Sequence, residues 1–372
     1  MPEVVAVTAH PAEAFVDTLR GVWDDGDAVL PVDPRLPPPA VASLLARLAP
    51  TVVVGPDGER HRHRHGRPAA PGDALVVATS GSTGEPKGVV LAHEALRAAS
   101  AASSARLGVD PTGDHWLACL PLAHVGGLGV VVRALHTATP LSVAARPDAA
   151  TLDHALRHGA TLTAVVPTVL TRVDTSGFRR VLVGGAAPPA GLPDNAVTTW
   201  GMTETAGGIV YDGVPLDGVE VRAEDGRLQV RAPMLGRAYR SADGDIDLGD
   251  PHGWFDTGDA GEVRPDGSVV VHGRVGEMIV TGGENVWPAA VEPVLANHPG
   301  VAEVAVVGRP DPEWGAVVTA VVVPADPAEP PTLDELRAHV RTQLPAHAAP
   351  RRLELAGTLP RTLVGKVRRH EV

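Results

Sequence analysis

Thr79-Ser80-Gly81-Ser82-Thr83-Gly84-Glu85-Pro86-Lys87-Gly88 follows directly on the apolar run Ala74–Ala78. A short apolar run bounded by turn residues reads as a buried strand, so the stretch is a loop leaving a strand end. Its content suits a polyphosphate. Glycines let backbone N–H groups approach an anion closely, hydroxyls donate hydrogen bonds, and the lysine adds charge. It is not a Walker A loop, which needs Gly before the Lys and Ser or Thr after it. Here Pro86 precedes Lys87 and Gly88 follows it. An ordinary Gly/Ser linker gives no reason for the lysine or for the strand before it.

Outward from this loop the pattern is α/β. Trp116–Leu120, Leu162–Val166, Arg180–Val183 and Val197–Trp200 read as strands; His93–Leu107, Gly126–His136 and Thr151–His158 read as helices. Strands alternating with helices imply a largely parallel sheet with covered faces. Residues 212–272 read as a small β region, punctuated by Asp-Gly turns at Asp217, Asp225, Asp243 and Asp266. A second unit is expected from Gly276, with Pro288–Asn297 helical and Val304–Val307 and Val317–Val323 as strands. Thr332 and Glu335 form a capping-box pattern ahead of another helix. Before residue 70 motifs are scarce. Pro31–Pro39 reads as an extended loop, and the His61-Arg62-His63-Arg64-His65 run as a solvated loop, although three imidazoles on one face of an extended segment could also hold a metal.

The bulk numbers exclude several classes. With 372 residues, 44% hydrophobic and 20% charged, the chain suits about two globular domains. Its single cysteine, Cys119, permits no intrachain disulfide and fits a reducing, cytoplasmic setting. Met1–His10 has no signal-like pattern, and no run reaches the ~18 apolar residues of a membrane helix, so no membrane insertion is expected. A net charge of −12 argues against nucleic acid. Of 32 basic residues only Lys87 and Lys366 are lysines. A lysine that persists in so arginine-rich a chain suggests a place where a compact ammonium is needed and a planar guanidinium will not serve.

The loop resembles the phosphate-binding motif of the adenylate-forming enzymes: acyl-CoA synthetases, firefly luciferase and peptide-synthetase adenylation domains. Further segments match in the family's order: Leu120-Pro121-Leu122-Ala123-His124, Gly184-Gly185-Ala186, Trp200-Gly201-Met202-Thr203-Glu204, Trp254–Asp259, Gly273-Arg274, Thr281-Gly282-Gly283-Glu284-Asn285 and Gly365-Lys366. The likeness covers residue 74 to the end. It implies a large N-terminal domain of sheets flanked by helices plus the small β region (residues 1–275), and a small, mobile α+β C-terminal domain (276–372). It also implies ATP, Mg²⁺ and coenzyme A as co-substrates or cofactor.

Residue roles follow from the resemblance, position by position. Thr79 to Gly84 and Lys87 would hold phosphates. Gly184, Gly185 and Ala186 would pack on adenine, Trp200 would stack on the base, and Gly201 and Met202 lie in the same nucleotide-binding segment. Thr203 would touch phosphate and Glu204 would hold Mg²⁺, a hard cation suited to carboxylate oxygen. Asp259 and Arg274 would hold the ribose, and Gly282 and Gly283 the pantetheine channel. Lys366 would offset the charge that builds up when a carboxylate attacks the α-phosphate. His124, Arg133 and Arg172 would wall the acyl pocket.

One position departs from the family. Gly276 stands where an acidic residue or lysine usually marks the pivot, which puts the restraint of the hinge in doubt while leaving its freedom. The part before residue 74 is also short, so some elements should be missing or trimmed there.

The implied activity is acid–CoA ligation. The short chain and the run Gly201–Leu216 resemble the o-succinylbenzoate–CoA ligases of menaquinone biosynthesis in their compact bacterial form. Two alternatives stand beside it: a ligase for another aryl, short-chain or fatty acid, and a nucleotide-binding protein without catalysis. The partners expected are small molecules, and a homodimer is compatible with the chain.

Overall fold

The computed structural model describes residues 1–55, 57–80, 86–188, 191–361 and 367–372. Gly81, Ser82, Thr83, Gly84 and Lys366 lie outside the described residues.

Four sheets organise the chain. The first has eight strands, in the order Asp245–Asp247, Ala238–Arg240, Pro86–Ala92, Asp73–Ser80, Ala28–Val32, Val4–Thr8, Val52–Val54 and Arg60–Arg62. The stretch expected as one loop thus begins and ends in two antiparallel strands, with Thr79 opposite Lys87 and Ser80 opposite Pro86. The second sheet has seven strands, in the order Val214–Pro215, Gly207–Tyr211, Ala196–Met202, Arg180–Gly184, Leu162–Val165, Trp116–Ala118 and Leu141–Val143. Its strands from Ala196–Met202 to Leu141–Val143 are parallel. A four-stranded antiparallel sheet follows, made of Glu220–Glu224, Arg227–Arg231, Phe255–Val263 and Val269–Arg274.

The helices His93–Leu107 and Val125–Thr137 pack on each other between the first two sheets. Glycines at 126, 127 and 129 are poor helix formers, but burial of Leu128, Val130, Val131, Val132 and Ala134 overrides propensity. Glu13–Asp24 presents Phe15, Val16, Leu19 and Val22 to the core at helical spacing. One apolar core runs through the first three sheets.

The fourth sheet comprises Glu284–Val286, Ile279–Thr281, Gly315–Pro324 and Val301–Asp311, with Arg352–Leu355 added alongside Gly315–Pro324. It forms a core of its own with the helices Pro288–Ala296 and Leu333–Arg341. Thr332 and Glu335 close the expected capping box.

Two expectations are corrected. Pro31–Pro39 is not one loop: Pro31 lies in a strand, where pairing with Val4–Thr8 holds it, and Pro38 opens the helix Pro38–Leu48, whose first turn needs no proline N–H. The His61–His65 run is not wholly a loop either: Arg60–Arg62 is an exposed edge strand held by antiparallel pairing with Val52–Val54, one of four strands that the motif-poor start gives to the first sheet. Among the described residues the three imidazoles of 61–65 form no ligand set; His61 lies instead beside Asp57 and Glu59, all exposed. No described helix is long and apolar enough to cross a membrane.

Candidate active site

Gly184 and the segment Trp200–Glu204 lie at the carboxyl ends of two neighbouring parallel strands, where open α/β sheets bind ligands. Strand Arg180–Gly184 ends in Gly185 and Ala186, both exposed. Strand Ala196–Met202 delivers Trp200, Gly201 and Met202 and runs into a 3₁₀ turn, Thr203–Thr205. Thr205 is buried; its hydroxyl bonds the Met202 and Gly207 carbonyls and accepts from the Met202 N–H, fixing the turn. Gly201 is dictated by space, since a Cβ there would lie 2.0 Å from the Gly207 carbonyl oxygen. Ala206 sits at φ +55, an uncommon conformation for a residue with a side chain, at the turn that carries Thr203 and Glu204.

Trp200, Asp259 and Arg274, the residues expected at the base and the ribose, come together. Trp200 Nε1 donates to Asp259 Oδ2 at 2.9 Å, and Arg274 Nε lies 3.1 Å from Asp259 Oδ1. Arg274 Nη1 also donates to the Thr257 carbonyl at 2.7 Å. Asp259 is buried while Arg274 is exposed, so a fixed carboxylate faces a solvated guanidinium.

Glu204 is half-buried and accepts from the Tyr239 hydroxyl at Oε1, 2.7 Å away. A carboxylate held in this way fits a hard divalent cation. Lys87 Nζ lies over the same tyrosine ring, 5.0 Å from its centroid. Residue-by-residue reading passed over Tyr239; the available signal was scarcity, because the chain holds only two tyrosines.

His124 caps the helix Val125–Thr137 and its Nε2 pairs with Asp33 Oδ2 at 3.1 Å. Burial pushes the Asp33 carboxyl up, but hydrogen bonds from Arg35 and the neighbouring charges of Arg35 and His124 outweigh it and hold the group at about 2. Asp33 was also not legible in sequence, since it lies in the motif-poor start.

Arg133 is buried on the helix Val125–Thr137, and its Nη1 has no hydrogen-bond partner among the described residues. The guanidinium lies over the Trp116 ring at 5.6 Å. A Cβ at Gly129 would be 3.7 Å, and one at Gly207 3.8 Å, from Nη2. The arginine thus borders the turn that carries Thr203 and Glu204, in a cavity lined also by Val125, Leu128 and Ala206. Arg172 differs. It is exposed just past the short helix Pro167–Leu170 and does not line that cavity.

Gly282 takes φ +58, its N–H donates to the Trp314 carbonyl, and a Cβ there would lie 2.5 Å from the Trp314 ring; Gly283 (φ +86) is open on all sides. The 3₁₀ turn Val275–Glu277 holds Gly276. Arg369 donates to Glu277 Oε2 and to Glu292 Oε2, each at 2.6 Å, tying the tail to this turn.

The chain matches the AMP-binding enzyme family over residues 57–283 and the AMP-binding enzyme C-terminal domain over residues 290–366. A probable 2-succinylbenzoate–CoA ligase of Mycobacterium tuberculosis is 40% identical over 320 residues, covering 80% of this chain and 82% of that one. A 2-succinylbenzoate–CoA ligase of Listeria monocytogenes is 31% identical over 329 residues, covering 80% and 69%. The fold is similar to that of o-succinylbenzoate CoA synthetase from Bacillus subtilis in complex with the acyl-adenylate intermediate, with TM-score 0.85, 24% identity, and 99% and 87% of the two chains covered. It is also similar to an arginine-to-lysine variant of E. coli MenE with bound OSB-AMS, with TM-score 0.77, 27% identity, and 95% and 84% covered.

Proposed function

The chain belongs to the AMP-binding enzyme family, and from that premise we propose that it is an ATP-dependent, AMP-forming acid–CoA ligase whose acid is o-succinylbenzoate, in the cytoplasm and in menaquinone biosynthesis. In the first half-reaction the carboxylate attacks the α-phosphorus of ATP, and the bond to pyrophosphate breaks. In the second, the CoA thiol displaces AMP to give the thioester. Glu204 would hold Mg²⁺, which would supply neutralisation of the phosphate charge when bound. Lys87 and the Thr79–Gly84 loop bind the phosphate tail. Asp259 and Arg274 bind the ribose, while Trp200, Gly184, Gly185 and Ala186 enclose the base.

Arg133 carries the choice of acid. o-Succinylbenzoate has two carboxylates, and only one reacts. The other must be paired, because a lone buried carboxylate is costly. A buried guanidinium with an unpartnered nitrogen beside the Thr203–Thr205 turn supplies that partner. The relatives named 2-succinylbenzoate–CoA ligase support the same reading. The test is carboxylate-dependent pyrophosphate exchange against a panel of acids. A preference for octanoate or benzoate over o-succinylbenzoate would leave only the generic ligase. A homodimer belongs to the same reading and is checked by light scattering.

The separate core after residue 276 supports a mobile unit pivoting at Gly276. Gly276→Pro fixes φ at the turn. Adenylation is expected to persist while CoA transfer falls, measured as the two half-reactions separately; unchanged transfer would place the pivot elsewhere.

A further inference from the structure

Tyr239 sits on the short strand Ala238–Arg240, paired antiparallel with Pro86–Ala92 so that Tyr239 faces Val89 and Arg240 faces Gly88. The arginines two places before it and one place after it are anchored. Arg237 donates to both carboxylate oxygens of Asp73 at 2.9 Å and to Asp245 at 2.8 Å. Arg240 is almost fully buried and donates to the carbonyls of Leu48, Ala49, Pro68 and Arg67. Side chains alternate along a strand. With Arg237 tied on one side and Arg240 on the other, the backbone beneath Tyr239 has little freedom.

From this position the tyrosine meets two motifs far apart in sequence. Its hydroxyl donates to Glu204 Oε1 at 2.7 Å, and the Gly236 N–H just upstream donates to the Glu204 carbonyl at 2.7 Å. Its ring lies 5.0 Å from Lys87 Nζ, within cation–π range.

We propose that Tyr239 is a positioning residue for adenylation, orienting the Glu204 carboxylate toward Mg²⁺ through its hydroxyl and the Lys87 ammonium toward phosphate through its ring. Only Oε1 is taken by the phenol, so the other carboxylate oxygen is presented in a set direction. The two contacts are separable: phenylalanine keeps the ring and removes the hydroxyl, whereas leucine removes both.

This inference rests on the ligase reading for the roles of Glu204 and Lys87, and its test has a readout that does not need turnover. Mn²⁺ binding in the presence of ATP is followed by electron paramagnetic resonance, and pyrophosphate exchange is titrated with Mg²⁺. For Tyr239→Phe the Mn²⁺ dissociation constant and the half-saturating Mg²⁺ are expected to rise about tenfold or more, with KM for ATP at saturating Mg²⁺ nearly unchanged. For Tyr239→Leu, KM for ATP is expected to rise as well. A Tyr239→Phe enzyme with an unchanged or lower metal requirement would overturn the proposal. Wild-type protein that exchanges with no carboxylic acid would sink the ligase reading instead, and weaker Mn²⁺ binding by Tyr239→Phe would still uphold the positioning role.

Discussion

Lys366→Ala is expected to slow adenylation by about 10²–10³-fold while leaving thioester formation from supplied acyl-adenylate largely intact. Attack of a carboxylate on the α-phosphorus brings two anions together, and a positioned cation at the developing charge is worth roughly this factor. The lysine lies outside the described residues, so its role rests on the motif Gly365-Lys366 and on the family match that runs to residue 366. The described residues before and after it have partners of their own. Arg361 and Val367 pair as an isolated antiparallel bridge on either side of it, and Arg369 is bonded to Glu277 and Glu292. Residues after 366 are thus tied to the turn Val275–Glu277 and are expected to move with the unit that follows it. Lys366→Arg should not rescue, because a planar fork does not replace a compact ammonium. The half-reactions are measured apart, by pyrophosphate exchange and by acyl-CoA formation from synthetic acyl-adenylate. Equal loss in both would sink the division of labour.

Arg133→Met is expected to lower kcat/KM for o-succinylbenzoate by about 100-fold and to raise, not lower, the melting temperature. The first effect is the loss of a charge-assisted bond worth about 1.5–3 kcal/mol to the second carboxylate, or roughly ten- to a hundred-fold, with lost positioning taking it to the upper end. KM for ATP should barely move. The second effect follows from burial. A guanidinium whose Nη1 has no acceptor loses hydration without recovering it, and an apolar side chain of similar reach avoids that cost. A buried cation that costs stability is the kind of group a stability–activity trade-off places at a ligand site. Arg172→Ala serves as the comparison, since that side chain is already in solvent, and its KM should shift much less. A lower melting temperature with unchanged KM would make Arg133 a structural residue and remove the support for a diacid.

The active-site motifs were readable because their chemistry is local. The stretch 79–88 concentrates glycines, hydroxyls and a lysine within ten residues, and Trp200 to Glu204 are neighbours on one strand and its turn. Helix His93–Leu107 and the capping box at Thr332 and Glu335 were also readable, since both depend on side chains within a turn or two. Pro31–Pro39 misled because proline reports what a backbone cannot donate. It does not report whether a neighbouring strand will pair with it.

By itself the sequence determined that this is an α/β protein of the adenylate-forming type, with the order of its motifs and the identity of its two lysines. Only the tertiary structure decided which side chains outside the motifs serve them. Sheet order placed Tyr239 between Lys87 and Glu204, put Asp33 on His124, buried Arg133 against the turn at Ala206 and Gly207, and left Arg172 in solvent. The physical reason is range. Propensity, capping and loop chemistry act over a few residues, whereas a hydrogen bond between residues 204 and 239 or an orphaned guanidinium at 133 exists only once distant strands have paired and excluded water.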